Sequence, residues 1–147
     1  PAMKARPIAH IVNISSLFGL VAPPGQTAYC AAKFGLRGFS ESLRHELGET
    51  NVGVTVVHPG GIRTSIALSA RIPVGVNSTE LQEQMQKFNA FLTTEPADAA
   101  RTILDGVAKG SPRVLIGADA RRGDLLQRLM PGTYWKIMKR GVERAMR

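Results

Sequence analysis

The run Ile8-Ala9-His10-Ile11-Val12-Asn13-Ile14-Ser15 is short, apolar and rich in β-branched residues, as expected of a strand buried on both faces. Pro23-Pro24-Gly25 then marks a loop. Beyond it Tyr29, Ala32, Leu36, Phe39, Leu43 and Leu47 recur at spacings of three and four. That periodicity predicts one long helix over residues 27–49, with Thr27 as its N-cap. Gly35 and Gly38 weaken its intrinsic propensity, but small residues would let another backbone come close. Val52-Gly53-Val54-Thr55-Val56-Val57-His58 reads as a second strand, stopped by Pro59-Gly60-Gly61. A long polar connection over residues 64–94 follows, with helical pieces expected around 79–92. Thr94-Glu95-Pro96 opens another helix that ends near Gly110, and Arg113-Val114-Leu115-Ile116 is a third strand. Strand, helix, strand, helix, strand is the alternation of a parallel α/β sheet. Three parallel strands make a small sheet, and such a sheet needs helices on both faces. More of it is therefore expected on the N-terminal side.

Composition narrows the function classes. The 147 residues are 44% hydrophobic and 20% charged, as in ordinary globular domains. The most apolar region, residues 8–22, is interrupted by His10, Asn13, Ser15 and Ser16 and falls short of the ~20 apolar residues of a membrane-spanning helix. Pro1-Ala2-Met3-Lys4-Ala5-Arg6-Pro7 has no apolar core, so a signal peptide is not expected. The single cysteine, Cys30, has no partner for an internal disulfide and fits a reducing cytoplasm, the expected location. His10, His45 and His58 have no partners at metal-ligand spacing, so no metal site is expected and the three are read as structural.

The net charge of +8 is concentrated at the end of the chain. Residues 118–147 hold Arg121, Arg122, Arg128, Lys136, Lys139, Arg140, Arg144 and Arg147 against Asp119, Asp124 and Glu143. Neither zinc spacing nor a recognition-helix pattern accompanies them, so no nucleic-acid partner is expected. Leu125, Leu126, Leu129 and Met130 form one apolar cluster; Tyr134, Trp135, Ile137, Met138, Val142 and Met146 form another beyond Pro131-Gly132. Each reads as a short amphipathic helix with a basic outer face. Docking on the protein body, which would largely bury Trp135, is favoured over lying on an anionic membrane surface.

Tyr29 and Lys33 are four residues apart at the start of the long helix and share one face. Ser16 follows the end of the first strand, and Pro59-Gly60 follows the second. In an open α/β sheet, sites form beyond the carboxyl ends of the strands, so these residues are expected around one crevice. A free tyrosine is a poor proton donor or acceptor at neutral pH, and a nearby ammonium favours its ionised form. A serine hydroxyl can hold the same substrate oxygen in line for reaction. A lone Tyr-x-x-x-Lys says little by itself.

Four linked motifs say more. They are His10-Ile11-Val12-Asn13-Ile14-Ser15-Ser16; Tyr29-Cys30-Ala31-Ala32-Lys33-Phe34-Gly35-Leu36; Leu43-Arg44-His45-Glu46-Leu47; and Val56-Val57-His58-Pro59-Gly60. In order, spacing and flanking residues this series resembles the short-chain dehydrogenase/reductase family. The resemblance is strongest over residues 1–64 and general in layout as far as 117. It implies the C-terminal half of a Rossmann-like doubly wound parallel sheet, followed by a helical tail. It also implies an NAD(P)-dependent oxidoreductase interconverting a carbonyl and an alcohol, with a small molecule as substrate. Tyr29 would be the general acid/base, and Ser16 rather than Ser15 would orient the substrate oxygen. Lys33 would favour the ionised tyrosine and hydrogen-bond the nicotinamide ribose. In the loop of Pro59, Gly60, Gly61, Ile62, Arg63 and Thr64, the Ile62 backbone and the Thr64 hydroxyl would hold the carboxamide.

The resemblance divides the chain into a catalytic half over residues 1–117, containing a substrate-binding segment over 64–94, and a basic tail over 118–147. Ile66, Ala67, Leu68, Ile72, Val74 and Val76 are candidates for an apolar substrate wall, or equally for a core-facing helix. No G-x-x-x-G-x-G turn occurs in the chain, so the dinucleotide-binding half and the residues that choose NAD or NADP would lie upstream of Pro1. This piece alone is expected to be inactive. A homo-oligomer is also expected, since the family pairs the helix bearing Tyr and Lys with its copy in a second subunit. Two rival readings stand beside the enzyme: a non-catalytic fragment held in an oligomer, and a peripheral membrane protein using the basic tail.

Overall fold

The structure, a computed structural model, describes residues 1–65, 89 and 92–145. Three strands form its sheet: β1 (Ala9–Ile14), β2 (Val52–Pro59) and β3 (Arg113–Ile116). They lie in the order β1-β2-β3, and both pairings are parallel, with Ile11 opposite Val54 and Val57 opposite Val114. The chain is therefore α/β with the parallel sheet that the strand–helix alternation requires. The helices are α1 (Thr27–Glu46), α2 (Pro96–Ala108), α3 (Ala118–Leu129) and α4 (Tyr134–Ala145).

Burial follows strand position. The central strand β2 is buried along nearly its whole length, as its continuous β-branched sequence demands. β1 was expected to be buried on both faces, and it is not: Ile14 is 45% exposed and the strand is otherwise half-buried. Among the described residues β1 has a neighbour on one side only, so it is an edge strand here. One core cluster joins Val57, Val114 and Ile116 of the sheet to Ala99 of α2, with Val12, Ile62 and Ile103 packed around it. α2 comes so close to β3 that a Cβ on Gly106 would collide with the Val114 side chain.

The long helix α1 begins at Thr27, but its N-cap is Gln26, and no side chain caps it. Its end falls at Glu46 rather than near Glu49. There the Thr50 hydroxyl donates to the Leu47 carbonyl (2.7 Å) and accepts from Val52 N–H (3.3 Å), a local turn that competes with the helix and feeds the chain into β2. On the other side, Asn13 Nδ2 donates to Ser40 Oγ (2.9 Å), and Ser40 Oγ donates to the Leu36 carbonyl (2.6 Å). This relay fixes the height of α1 against β1.

The two helices of the tail flank Pro131-Gly132, but α3 does not bury the cluster its sequence suggested. Leu125 and Leu129 are 58% and 72% exposed, and the buried residues are Ala120, Gly123 and Asp124. Small residues let α3 approach the body closely: a Cβ on Gly123 would press on Leu17 (2.7 Å). Asp124 then accepts two hydrogen bonds from the Arg113 guanidinium, at 2.9 and 2.8 Å. The helix is thus docked by an ion pair and a close contact rather than by Leu125 and Leu129. In α4, Trp135 is half-buried, and the Tyr134 hydroxyl accepts from Ala22 N–H (3.0 Å). The candidate substrate wall lies outside the described residues. No described helix is long and apolar enough to cross a membrane.

Candidate active site

Two adjacent serines leave β1 in an extended chain, so their side chains point to opposite sides. Ser15 is 3% exposed and donates its hydroxyl to the Lys33 carbonyl (2.9 Å), holding the strand end to the backbone of α1. Ser16 is half-buried. Its Oγ accepts from Phe18 N–H (3.1 Å) and so caps the 3-10 turn Leu17–Gly19. That bond uses one acceptor position and leaves the hydroxyl proton available to a ligand.

The turn sets Phe18 against the start of α1. The rings of Phe18 and Tyr29 meet edge to face, with centroids 6.2 Å apart and planes at 89°. Lys33, one turn further along α1, places its ammonium 5.6 Å from the Tyr29 ring centroid, within cation–π range. The same ammonium donates to the Ile14 carbonyl (3.0 Å), the last residue of β1. Tyr29 is 43% exposed. The turn at Ser16, Tyr29 and Lys33 are in this way gathered at the carboxyl end of β1.

The loop at residues 59–64 lies beyond the carboxyl end of β2 and is anchored from three directions. Gly60 N–H donates to the Ile116 carbonyl (2.9 Å), extending the sheet by one bond. Gly61 accepts from Thr93 N–H and Thr94 N–H, both at 3.1 Å, while Arg63 N–H donates to Thr94 O (2.8 Å). Gly61 N–H donates to the Asp119 carboxylate (2.7 Å), which comes from the first turn of α3. The Arg63 guanidinium pairs with Glu95 at 2.6 Å. Ile62 accepts from Thr64 N–H (2.9 Å), and the exposed Thr64 joins Arg63, Ser65, Asn89 and Leu92 around a cavity of about 340 Å³. Ser16, Tyr29 and Lys33 lie outside that cavity.

Sequence reasoning passed over two residues that the structure places here. Asp119 reads as part of a basic solvated tail, yet it holds the loop; its only trace in the sequence is an acidic residue two places after Gly117, at the start of a basic helix. His58 read as structural. It is completely buried and donates from Nδ1 to the Ser16 carbonyl (2.9 Å). Burial pushes its pKa below the ordinary imidazole value, against the opposing pull of the Ser16 bond. A histidine directly before Pro59, at the end of a β-branched run, is its only trace in the sequence. Among the described residues no three His, Cys, Asp or Glu side chains form a metal-binding group.

A parallel α/β sheet with a Ser turn, a Tyr-x-x-x-Lys helix and a Pro-Gly loop at its carboxyl edge defines a class, and comparison with known proteins agrees. The profile of the short chain dehydrogenase family matches residues 1–73. The chain belongs to the short-chain dehydrogenase/reductase family. It is 46% identical over 144 residues to SadH of Mycobacterium tuberculosis, covering 97% of this chain and 51% of that protein. Among solved structures it resembles a short chain dehydrogenase/reductase of Burkholderia phymatum in complex with NAD. The TM-score is 0.69 at 22% identity, over 82% of this chain and 47% of that one. A short chain dehydrogenase of Burkholderia cenocepacia in complex with NADP gives a TM-score of 0.68 at 22% identity, over 95% and 51%. The chain spans about half the length of the relatives it matches.

Proposed function

We propose that this chain is the catalytic half of an NAD(P)-dependent oxidoreductase that interconverts a carbonyl and an alcohol on a small molecule. The observation that carries the reading is the placing of Tyr29 and Lys33, one helical turn apart, beside the Ser16 turn at the carboxyl edge of the sheet. Tyr29 gives its hydroxyl proton to the carbonyl oxygen in reduction and takes it back in oxidation. Ser16 donates a hydrogen bond to the same oxygen and fixes its direction. The Lys33 ammonium, tethered to Ile14 O, keeps two further N–H groups, a donor set suited to ribose hydroxyls. The Ile62 backbone and the Thr64 hydroxyl, behind Pro59 and Gly60, suit a carboxamide. A bound nicotinamide would supply the hydride. Matching proteins complexed with NAD and with NADP support a nicotinamide cofactor and leave the choice between them open.

On this reading the complete enzyme joins the chain to a glycine-rich nucleotide-binding half. The test is calorimetric titration of that enzyme with NADH and NADPH, followed by turnover of a panel of ketones and aldehydes read at 340 nm. Micromolar binding of one nucleotide with nucleotide-dependent carbonyl reduction is expected. Tight binding of neither nucleotide, or turnover that survives Tyr29→Phe unchanged, would remove the assignment.

A further inference from the structure

His58 has no part in the proton transfer above, yet its placement is hard to reconcile with a passive core residue. The ring is completely buried at the end of β2, directly before the Pro59-Gly60 loop. Its Nδ1 lies 2.9 Å from the Ser16 carbonyl oxygen. A carbonyl can only accept, so the proton sits on Nδ1 and Nε2 is left with a lone pair. Among the described residues nothing hydrogen-bonds that buried Nε2. An apolar side chain of similar size would leave no buried nitrogen to satisfy. The other nitrogen shows what the imidazole provides there.

We propose that His58 is a positioning residue that holds the Ser16 backbone, and through it the Ser16 hydroxyl, in register with Tyr29. Ser16 is pinned twice: its Oγ caps Phe18 N–H, and its carbonyl is held by His58. The first bond orients the hydroxyl within the turn, and the second ties the turn to the central strand. Phe18, whose N–H donates to the Ser16 hydroxyl, also packs edge-on against Tyr29, so the turn that His58 holds stands beside the tyrosine. Buried neutral, the ring keeps this role without adding a charge near the reacting oxygen. The inference rests on the role given to Ser16 under the proposed function.

The test uses the complete enzyme with Ser16→Ala, His58→Leu, His58→Asn and the double variant Ser16→Ala/His58→Leu. Leu keeps an apolar side chain of similar bulk and removes the donor, whereas the Asn amide can place an N–H near the position of Nδ1. His58→Leu should lower kcat roughly 10-fold or more with cofactor KM changed little, because misplacement near 1 Å can cost up to about 100-fold. His58→Asn should recover most of that loss. The double variant should be no slower than Ser16→Ala alone, since His58 acts through Ser16. Wild-type kcat in His58→Leu, an equal loss in the Leu and Asn variants, or additive losses in the double variant would overturn the proposal while leaving the serine's role intact. Full turnover by Ser16→Ala would remove the reading beneath it. Long-range proton–nitrogen NMR of the unmodified enzyme gives a check that does not depend on any variant folding. A proton on Nδ1 supports the proposal, and a proton on Nε2 alone overturns it.

Discussion

Replacing Asp124 by alanine tests how the tail is attached. Its side chain is 10% exposed and accepts from both terminal nitrogens of Arg113, at 2.9 and 2.8 Å, and from Arg128 Nε at 3.2 Å. Removing one partner of a fully buried pair costs about 3–5 kcal/mol, because the other charge is stranded. Arg113 is 22% exposed, so water recovers part of that cost; Arg128 is 56% exposed, and its contact contributes less than about 1 kcal/mol. The expected loss is about 2–3 kcal/mol, read as a lower urea midpoint at unchanged slope by far-UV circular dichroism. Asp124→Asn keeps one acceptor and should lose about half as much. Arg113→Met combined with Asp124→Leu should cost less than the sum of the two single changes, since neither charge is then left alone. A loss below about 1 kcal/mol for Asp124→Ala would show that the close contact at Gly123, not this pair, docks the helix.

Tyr29→Phe in the complete enzyme should lower kcat at least about 100-fold with cofactor affinity nearly intact, as for loss of a general acid/base. Lys33→Ala should harm both, and equal small effects from the two changes would refute the division of roles. Because the folded-state pKa of His58 lies below the ordinary 6.5, its stabilising contribution is complete above that pH and is lost as pH falls towards the depressed value. Urea midpoints should therefore decline on acidification below about 6.5, by at most about 1.4 kcal/mol per pH unit from this one group, and more weakly in His58→Asn. Arg113, Arg37 and Asp124 are the charged neighbours that modulate the shift, and an identical decline in His58→Asn would assign it elsewhere. Ile8 is 86% and Phe39 59% exposed, and β1 has an open edge among the described residues, so association is expected. A monomer by light scattering at tens of micromolar would contradict it.

The strands and helices were legible because each is encoded locally. β-branched runs gave β1, β2 and β3; three- and four-residue spacing gave α1; Pro131-Gly132 separated α3 from α4. Tyr29, Lys33 and Ser16 were legible as a linked pattern of fixed spacing. What the sequence hid depends on contacts between distant segments. Ser16 and His58 are 42 residues apart, and Gly61 and Asp119 are 58 apart; no periodicity within either segment records the pairing. The leucines of α3 misled for the same reason. An apolar stripe says that a helix has a face, while the Arg113–Asp124 pair and the small Gly123 decide which face docks.

The Asp119 clamp also has a bearing on how the protein is made. A side chain at Gly60 would overlap the Asp119 carboxylate, so loop and carboxylate can close on each other only in this bare-backbone form. The ribosome adds Asp119 58 residues after Gly61. At about 5–20 residues per second, the nascent loop spends roughly 3–12 s without its carboxylate. Over that interval β3 is also unfinished, and Gly60 N–H has yet to meet Ile116. The loop at the carboxyl edge is therefore among the last parts of the sheet to become ordered.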